Sequence, residues 1–323
     1  MSKTLRIVII VFAGIVVLLV AAYAAMGTVI YNQLTNVEGS CDEHLANTPE
    51  RFLLHPDWPD LDLTPYFMSG YENVRFPSRE DGIEIAGWWV AGDPDAPAVI
   101  LVDGLGGCKN SIAVLVPAGM LWRNGFSVLL IDLRDTGDST REDGQSAIGN
   151  EEYLDVLGAW DWLIEVQDFA PERIGLFANS LGGATALYAF SEEPRVATLF
   201  LQSTFGNLQQ IIAAELKREG YPAFLAPGAI AMGRVVSGDN LVAHNPISAI
   251  QQAGTRPVYM IHSQADTRIA IEQSQQLAAA AQRAGVNVAT WFPPESEHVQ
   301  TPAVYPDEFE QRLVGFFTRA LER

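Results

Sequence analysis

Of all the side chains in this chain of 323 residues, Ser180 has the setting that points most directly to chemistry. It lies in Ala178-Asn179-Ser180-Leu181-Gly182-Gly183-Ala184, after the apolar run IGLF and before a stretch of helical character. A serine at the apex of a sharp strand-to-helix turn presents its hydroxyl outward, provided the residues two before and two after it are small. Ala178 and Gly182 meet that condition. The competing reading is a serine that merely caps an ordinary helix, and the choice between them rests on partners.

A serine hydroxyl is a weak nucleophile until a base takes its proton, and the base must itself be held in orientation. Of the five histidines, His44 and His55 fall in a polar arm, His244 in an insertion and His262 at the end of a strand-like run. His298 lies in the loop Pro293-Pro294-Glu295-Ser296-Glu297-His298, where the backbone is free to turn the imidazole inward, and is the candidate base. Asp266, in His262-Ser263-Gln264-Ala265-Asp266, is the candidate orienting acid. Alone, Asp266 reads equally well as a helix cap and His298 as a surface residue.

An oxyanion developing on an acyl carbon needs backbone N–H donors. Leu181, after the serine, supplies one. Leu105, in Asp103-Gly104-Leu105-Gly106-Gly107-Cys108, is nominated for the other. The same glycine-rich loop lacks the Gly-Lys-Ser/Thr ending and the spacing of a nucleotide cradle. The chemistry expected of the set is acyl transfer through a covalent acyl-serine.

The elements that must position these residues follow from periodicity. Strand-like runs occupy 71–76, 83–90, 98–102, 127–131, 173–177, 197–201, 257–261 and 286–291, and helical stretches occupy 111–123, 150–166, 181–190, 271–284 and 306–321. In the last, Phe309, Leu313, Phe316, Phe317 and Leu321 recur at helical spacing, as a core-facing stripe does. Continuous apolar strands such as VILV and VLLI imply a sheet buried on both faces, hence parallel strands with crossover helices. The fold class is α/β: eight strands, mostly parallel, with an antiparallel start and helices on both faces. Residues 205–250 break the alternation with helical pieces and Pro222, Pro227 and Pro246, and read as a small helical cap. Its apolar residues, among them Phe224, Leu225, Val235 and Val236, suit an apolar acyl substrate or simply the packing of the cap itself.

The N-terminus is different in kind. Residues 7–31 carry no charge, are long enough to span a hydrocarbon core, and in lipid are restricted to a helix. Lys3 and Arg6 precede the run while Glu38, Asp42 and Glu43 follow it, which places the N-terminus in the cytoplasm and the bulk of the chain outside it. The rival is a cleaved signal peptide, for which Ala22-Tyr23-Ala24 offers a small-x-small site; continuation of the run to Tyr31 favours an uncleaved anchor. The domain plan is therefore an anchor over 1–31, a spacer and arm over 32–70, and a main domain over 71–323.

Composition closes off other classes. Asp and Glu number 39 against 20 Lys and Arg, for a net charge of −19, and the lysines are only Lys3, Lys109 and Lys217, so nucleic acid is not an expected partner. Cys41 and Cys108 lack any metal-binding spacing. The expectation for them is two unpaired, partly buried thiols, although an oxidising compartment would permit pairing.

Taken in order, VILVDGLGGCKNS, VLLIDLRDTGDS, IGLFANSLGGATAL, VYMIHSQADTRI and the loop around His298 resemble the successive signatures of the α/β-hydrolase superfamily, over roughly residues 71–323. The resemblance is to its small-capped esterase, lipase and serine-aminopeptidase-like members, some with an N-terminal anchor. It implies a Ser180 nucleophile, a His298 base, an Asp266 orienter and no cofactor. The sequence departs from the usual pattern at Asp103, where relatives often have His, at Ala178 in place of glycine, and at Asp135 and Asp138 around Gly137. Asp132, Arg134 and Ser139 read as residues holding that turn. The expected function is a membrane-anchored, extracytoplasmic carboxylesterase acting on a small ester or acyl substrate. Peptidase, amidase or acyltransferase chemistry on the same triad is the alternative, and a non-catalytic interaction domain is a further one.

Overall fold

The computed structural model describes residues 2–39, 41 and 45–321. His44, Asp42 and Glu43 lie outside the described residues. The chain divides into two compact units, Met1–Asn36 with Leu208–Ala243, and Val37–Asn207 with His244–Arg323.

The larger unit is built on one sheet of order β1-β2-β4-β3-β5-β6-β7-β8. Its strands are β1 Glu72–Pro77, β2 Glu84–Val90, β3 Ala98–Val102, β4 Ser127–Ile131, β5 Ile174–Asn179, β6 Thr198–Gln202, β7 Val258–Ile261 and β8 Val288–Trp291. The β1–β2 and β2–β4 pairings are antiparallel and all later ones parallel. β3 and β4 are buried along their whole length, which is why their sequences are apolar without alternation. The helices of this unit are α2 Ile112–Trp122, α3 Tyr153–Glu165, α4 Ser180–Glu192, α7 Pro246–Ile250, α8 Glu272–Arg283, α9 Thr301–Val304 and α10 Pro306–Leu321. The strands and major helices lie where periodicity predicts them, with ends displaced by a few residues.

One core cluster joins α2, α10 and one face of the sheet, with Phe177, Phe200, Tyr259, Phe309 and Phe317 among its members. The stripe read from the sequence of α10 is the part of that helix that enters the core: Phe309, Leu313, Phe316, Phe317 and Leu321 are all buried. The Phe200 and Tyr259 rings stack at 5.1 Å. The arm over residues 45–70 belongs to this unit and buries Phe52, Tyr66 and Met68 in the same cluster.

The two cysteines are not free: Cys41 and Cys108 form a disulfide with Cα atoms 5.9 Å apart. This corrects the sequence expectation, and the reason is the path of the arm. Val37 N–H donates to the Gly144 carbonyl, and the Asn47 side-chain amide donates to the Asn110 carbonyl at 3.1 Å, so the arm runs back along the loop that carries Cys108. His244 likewise groups with the larger unit rather than with the insertion, its ring packed on Tyr188 and Tyr153.

The smaller unit contains α1 Lys3–Thr35, α5 Leu208–Arg218 and α6 Ala226–Val236. Helix α1 begins where the Ser2 side chain accepts the Leu5 N–H. It extends four residues beyond residues 7–31 at each end, and it is long and apolar enough to cross a membrane.

Candidate active site

Ser180 lies immediately after β5, at the first residue of α4, with φ of +50°. A non-glycine residue in that region is strained by roughly 1–3 kcal/mol, and the turn holds because its neighbours are pressed close. A β-carbon at Gly182 would fall on the Asp103 carbonyl oxygen, so no larger residue fits there without moving the loop after β3. The same loop approaches the serine itself: a β-carbon at Gly104 would lie 3.0 Å from Ser180 Cβ and 3.5 Å from its Oγ.

The structure brings Ser180, His298 and Asp266 together from three separate loops. Ser180 Oγ stands 2.9 Å from His298 Nε2, and His298 Nδ1 stands 2.7 Å from Asp266 Oδ2. A carboxylate only accepts, so Nδ1 carries the proton and donates to Asp266, leaving Nε2 to accept from the serine hydroxyl. Val299, next to His298, has φ of +57°; a β-branched residue there marks a backbone bent to present its neighbour.

Asp266 is held by more than His298. Its Oδ1 accepts N–H bonds from Arg268 at 3.0 Å and Ile269 at 2.8 Å. Its Oδ2 also faces Nε2 of the wholly buried His262, at 3.2 Å. Burial pushes the Asp266 carboxyl up. The hydrogen bonds from His262 and His298, the field of His298 and the Ile269 N–H outweigh it, and hold the group well below the ordinary carboxylate range.

His262 is the residue that sequence reasoning passed over. Its Nε2–H points at the Ile269 carbonyl as well, at 2.8 Å, and its Nδ1 lies 2.6 Å from Ser274 Oγ. The hint was its place four residues before Asp266, at the end of a strand, but no periodicity shows that two loop residues converge.

Of the nominated oxyanion donors, Leu181 follows the serine directly and Leu105 lines the same cleft as Ser180. Leu181 occupies the first turn of α4, where N–H groups have no partner within the helix. Leu105 is the second residue of a turn closed by Gly107 N–H donating to the Gly104 carbonyl at 2.9 Å, with Gly106 at φ of +68°. Asp103 keeps its carboxylate on this loop, accepting the Gly104 N–H at 2.8 Å. The turn after β4 is organised as its residue types suggest. Buried Asp132 accepts the Lys109 N–H at 2.8 Å and the Asp138 N–H at 2.9 Å, and pairs with the Lys109 ammonium. Ser139 donates to the Asp132 carbonyl, while Arg134 is paired with Asp155.

Ser180 and His298 open into a cleft of about 390 Å³, which Leu105 and Arg268 also line. The arm contributes His55 and Trp58 to its wall. This volume is in the range of small-molecule sites, and its wall is mixed rather than uniformly apolar. Among the described residues, no group of three or more His, Cys, Asp or Glu side chains is arranged to hold a metal ion.

The family described as the prolyl oligopeptidase family matches residues 117–323. The uncharacterized protein YfhR of Escherichia coli O157:H7 is 25% identical over 256 residues, covering 77% of this chain and 81% of that protein. Among solved structures, an esterase of Pyrococcus furiosus superposes with a TM-score of 0.64 at 23% identity, covering 81% of this chain and 95% of its own. An acylaminoacyl peptidase of Pyrococcus horikoshii gives 0.59 at 18% identity, over 79% of this chain and 42% of its own. The fold shared with these structures is that of the α/β hydrolases.

Proposed function

The chain belongs to the prolyl oligopeptidase family and is a serine hydrolase, and from that premise we propose that Ser180, His298 and Asp266 form its catalytic triad and that its substrates are small carboxylic esters. The observation that carries the reading is the unbroken chain of contacts, 2.9 Å from Ser180 Oγ to His298 Nε2 and 2.7 Å from His298 Nδ1 to Asp266 Oδ2. His298 takes the serine proton as Oγ attacks the acyl carbon, and Asp266, kept anionic, stabilises the imidazolium that forms. The N–H groups of Leu105 and Leu181 receive the oxyanion. His298 then returns the proton to the leaving alcohol, and water releases the acyl group by the same steps. A small ester fits a cleft of about 390 Å³.

Peptidase or amidase action is the second reading. It is favoured by the family itself and by the fold shared with an acylaminoacyl peptidase.

The location proposed is a single-pass anchor with the larger unit outside the cytoplasm. Lys3 and Arg6 before the apolar run support that orientation. The Cys41–Cys108 disulfide supports an oxidising compartment. Retention of the anchor is supported by its own packing: Tyr23, within the Ala22-Tyr23-Ala24 site, donates its hydroxyl to the Phe224 carbonyl at 2.9 Å and stacks on its ring, contacts that cleavage there would remove.

The test uses the full chain in detergent micelles with a fluorophosphonate probe, followed by mass spectrometry. An adduct on Ser180, absent in Ser180→Ala, is expected. A folded protein that forms no adduct, or forms it on another serine, overturns the triad. An ester and acyl-peptide panel then separates the two readings, since a higher kcat/KM on the peptides would make the enzyme a peptidase.

A further inference from the structure

Helix α1 is about 50 Å long at 1.5 Å per residue, whereas a hydrocarbon core is about 30 Å thick. Counted from Ile7, the first residue after Arg6, the core is filled by about 20 residues, so its far edge falls near Met26. Tyr23 lies about 5 Å inside that edge and Tyr31 about 7 Å beyond it.

This boundary runs through the smaller unit's own contacts. Tyr23 donates its hydroxyl to the Phe224 carbonyl at 2.9 Å, and the two rings stack. Gly27 meets Gly228 so closely that a β-carbon on Gly27 would lie 2.9 Å from the Gly228 backbone. Tyr31 reaches Ser237 at 2.6 Å and Asp239 at 2.5 Å. Helices α1 and α6 therefore run side by side in the same direction, and the segment just before α6 stands at the depth of Tyr23.

That segment has the chemistry its depth demands. Residues 220–233 carry no charge, and the flanking charges are Lys217, Arg218 and Glu219 before them and Arg234 after. Phe224 is 67% exposed and Val235 73%, and Val20, Met26 and Val29 of α1 are exposed as well. Phe224, held against Tyr23, is thus an exposed apolar side chain at a depth where the exposed side chains of α1 face acyl chains if the helix spans.

We infer that residues 220–236 are a second, monotopic lipid-contact element, seated among the acyl chains of the leaflet on the far side from the N-terminus, with Phe224 the deepest point and Arg234 at the headgroups. The inference rests on the anchor reading for α1. Helical backbone satisfies its own hydrogen bonds there, and aromatic residues such as Tyr221 and Tyr23 suit the membrane interface.

The test labels single cysteines with an environment-sensitive fluorophore in the full chain, in phosphatidylcholine–phosphatidylglycerol vesicles. The native cysteines are occupied by their disulfide. The variants are Val20→Cys, Phe224→Cys and Val235→Cys, all at exposed positions, each checked by fluorophosphonate labelling of the enzyme. Lipid brominated on its acyl chains is expected to quench the labels at 20 and 224 at least twofold, and the label at 235 less. Quenching at 20 without quenching at 224 overturns the inference and leaves the anchor standing. Quenching at neither position overturns the anchor reading and the inference with it. A label at 224 that is shielded from aqueous iodide yet unaffected by bromolipid is covered by protein, such as a second copy, and also overturns the inference, as does stronger quenching at 235 than at 224.

Discussion

Nε2 of His262 stands 3.2 Å from Oδ2 of Asp266, the same oxygen that faces His298 Nδ1 at 2.7 Å. One carboxylate oxygen thus serves two imidazoles, one next to the serine and one wholly buried behind it. His262 is itself pinned by the Ile269 carbonyl and by Ser274, whose hydroxyl also lies 2.9 Å from the Thr204 carbonyl. The position of His298 is therefore tied to the ends of β6 and β7 as well as to its own loop.

Removing this support has a calculable consequence. A hydrogen bond to a charged group contributes about 1.5–3 kcal/mol, so His262→Phe is expected to lower kcat roughly ten- to hundredfold, with little change in KM. His262→Gln, which retains a donor, should recover part of the loss. Steady-state kinetics on an ester substrate of both variants is the check, and an unchanged kcat in His262→Phe would show that the second imidazole only fills space.

Gly182→Ala tests the elbow. The added carbon would land on the Asp103 carbonyl, and the loop bearing Leu105 must move to admit it. Overpacking of this kind costs about 1–3 kcal/mol of stability, and a displaced oxyanion donor costs on the order of a hundredfold or more in kcat. Thermal unfolding and turnover measured on the same preparation separate the two effects. Normal turnover in a variant of normal stability would refute the packing argument.

The disulfide closes a loop with a sequence separation of 67 residues, and a crosslink of that span stabilises by about 4 kcal/mol in the chain-entropy treatment. Paired Cys41→Ser and Cys108→Ser substitutions should lower the urea midpoint accordingly. Because Cys108 ends the loop that carries Leu105, kcat should fall even where the variant remains fully folded. If reductant leaves the midpoint of the native chain untouched, the crosslink does not constrain the domain.

Acid stability has an identifiable contributor in Glu193. Hydrogen bonds from the Arg195 side chain, reinforced by its N–H and by Arg79, overcome the effect of burial and lower its pKa from 4.5 to about 2. The folded-state value lies below the unfolded one, so the contribution is complete above about pH 4.5 and disappears as pH falls through 2. Urea midpoints compared at pH 6 and pH 2.5 should fall further for the native chain than for Glu193→Gln. Equal decrements would mean the carboxylate titrates normally.

Much of this was legible in the residues themselves, because the signals are local. Apolar strands buried on both faces, helical stripes such as Phe309 to Leu321, and a serine framed by Ala178 and Gly182 each depend on a few neighbours along the chain. The order of Ser180, Asp266 and His298 along the chain could be read, but not the distances between them. The unread parts depend on contacts between distant segments. Nothing in the vicinity of Cys41 reveals that the arm returns to Cys108. Nothing along the arm shows that His55 and Trp58 reach the cleft, and nothing near His262, at the end of β7, shows that its ring turns to Asp266.

The sequence by itself determined the fold class, the long apolar helix at the N-terminus and the identity of the residues that meet at the candidate site, since periodicity and turn chemistry act over short separations. The tertiary structure alone decided the crosslink, the second imidazole on Asp266, and the alignment of Tyr23, Gly27 and Tyr31 with α6. These depend on where the chain folds back on itself. That path is set by the packing of the whole unit, and no short stretch of residues encodes it.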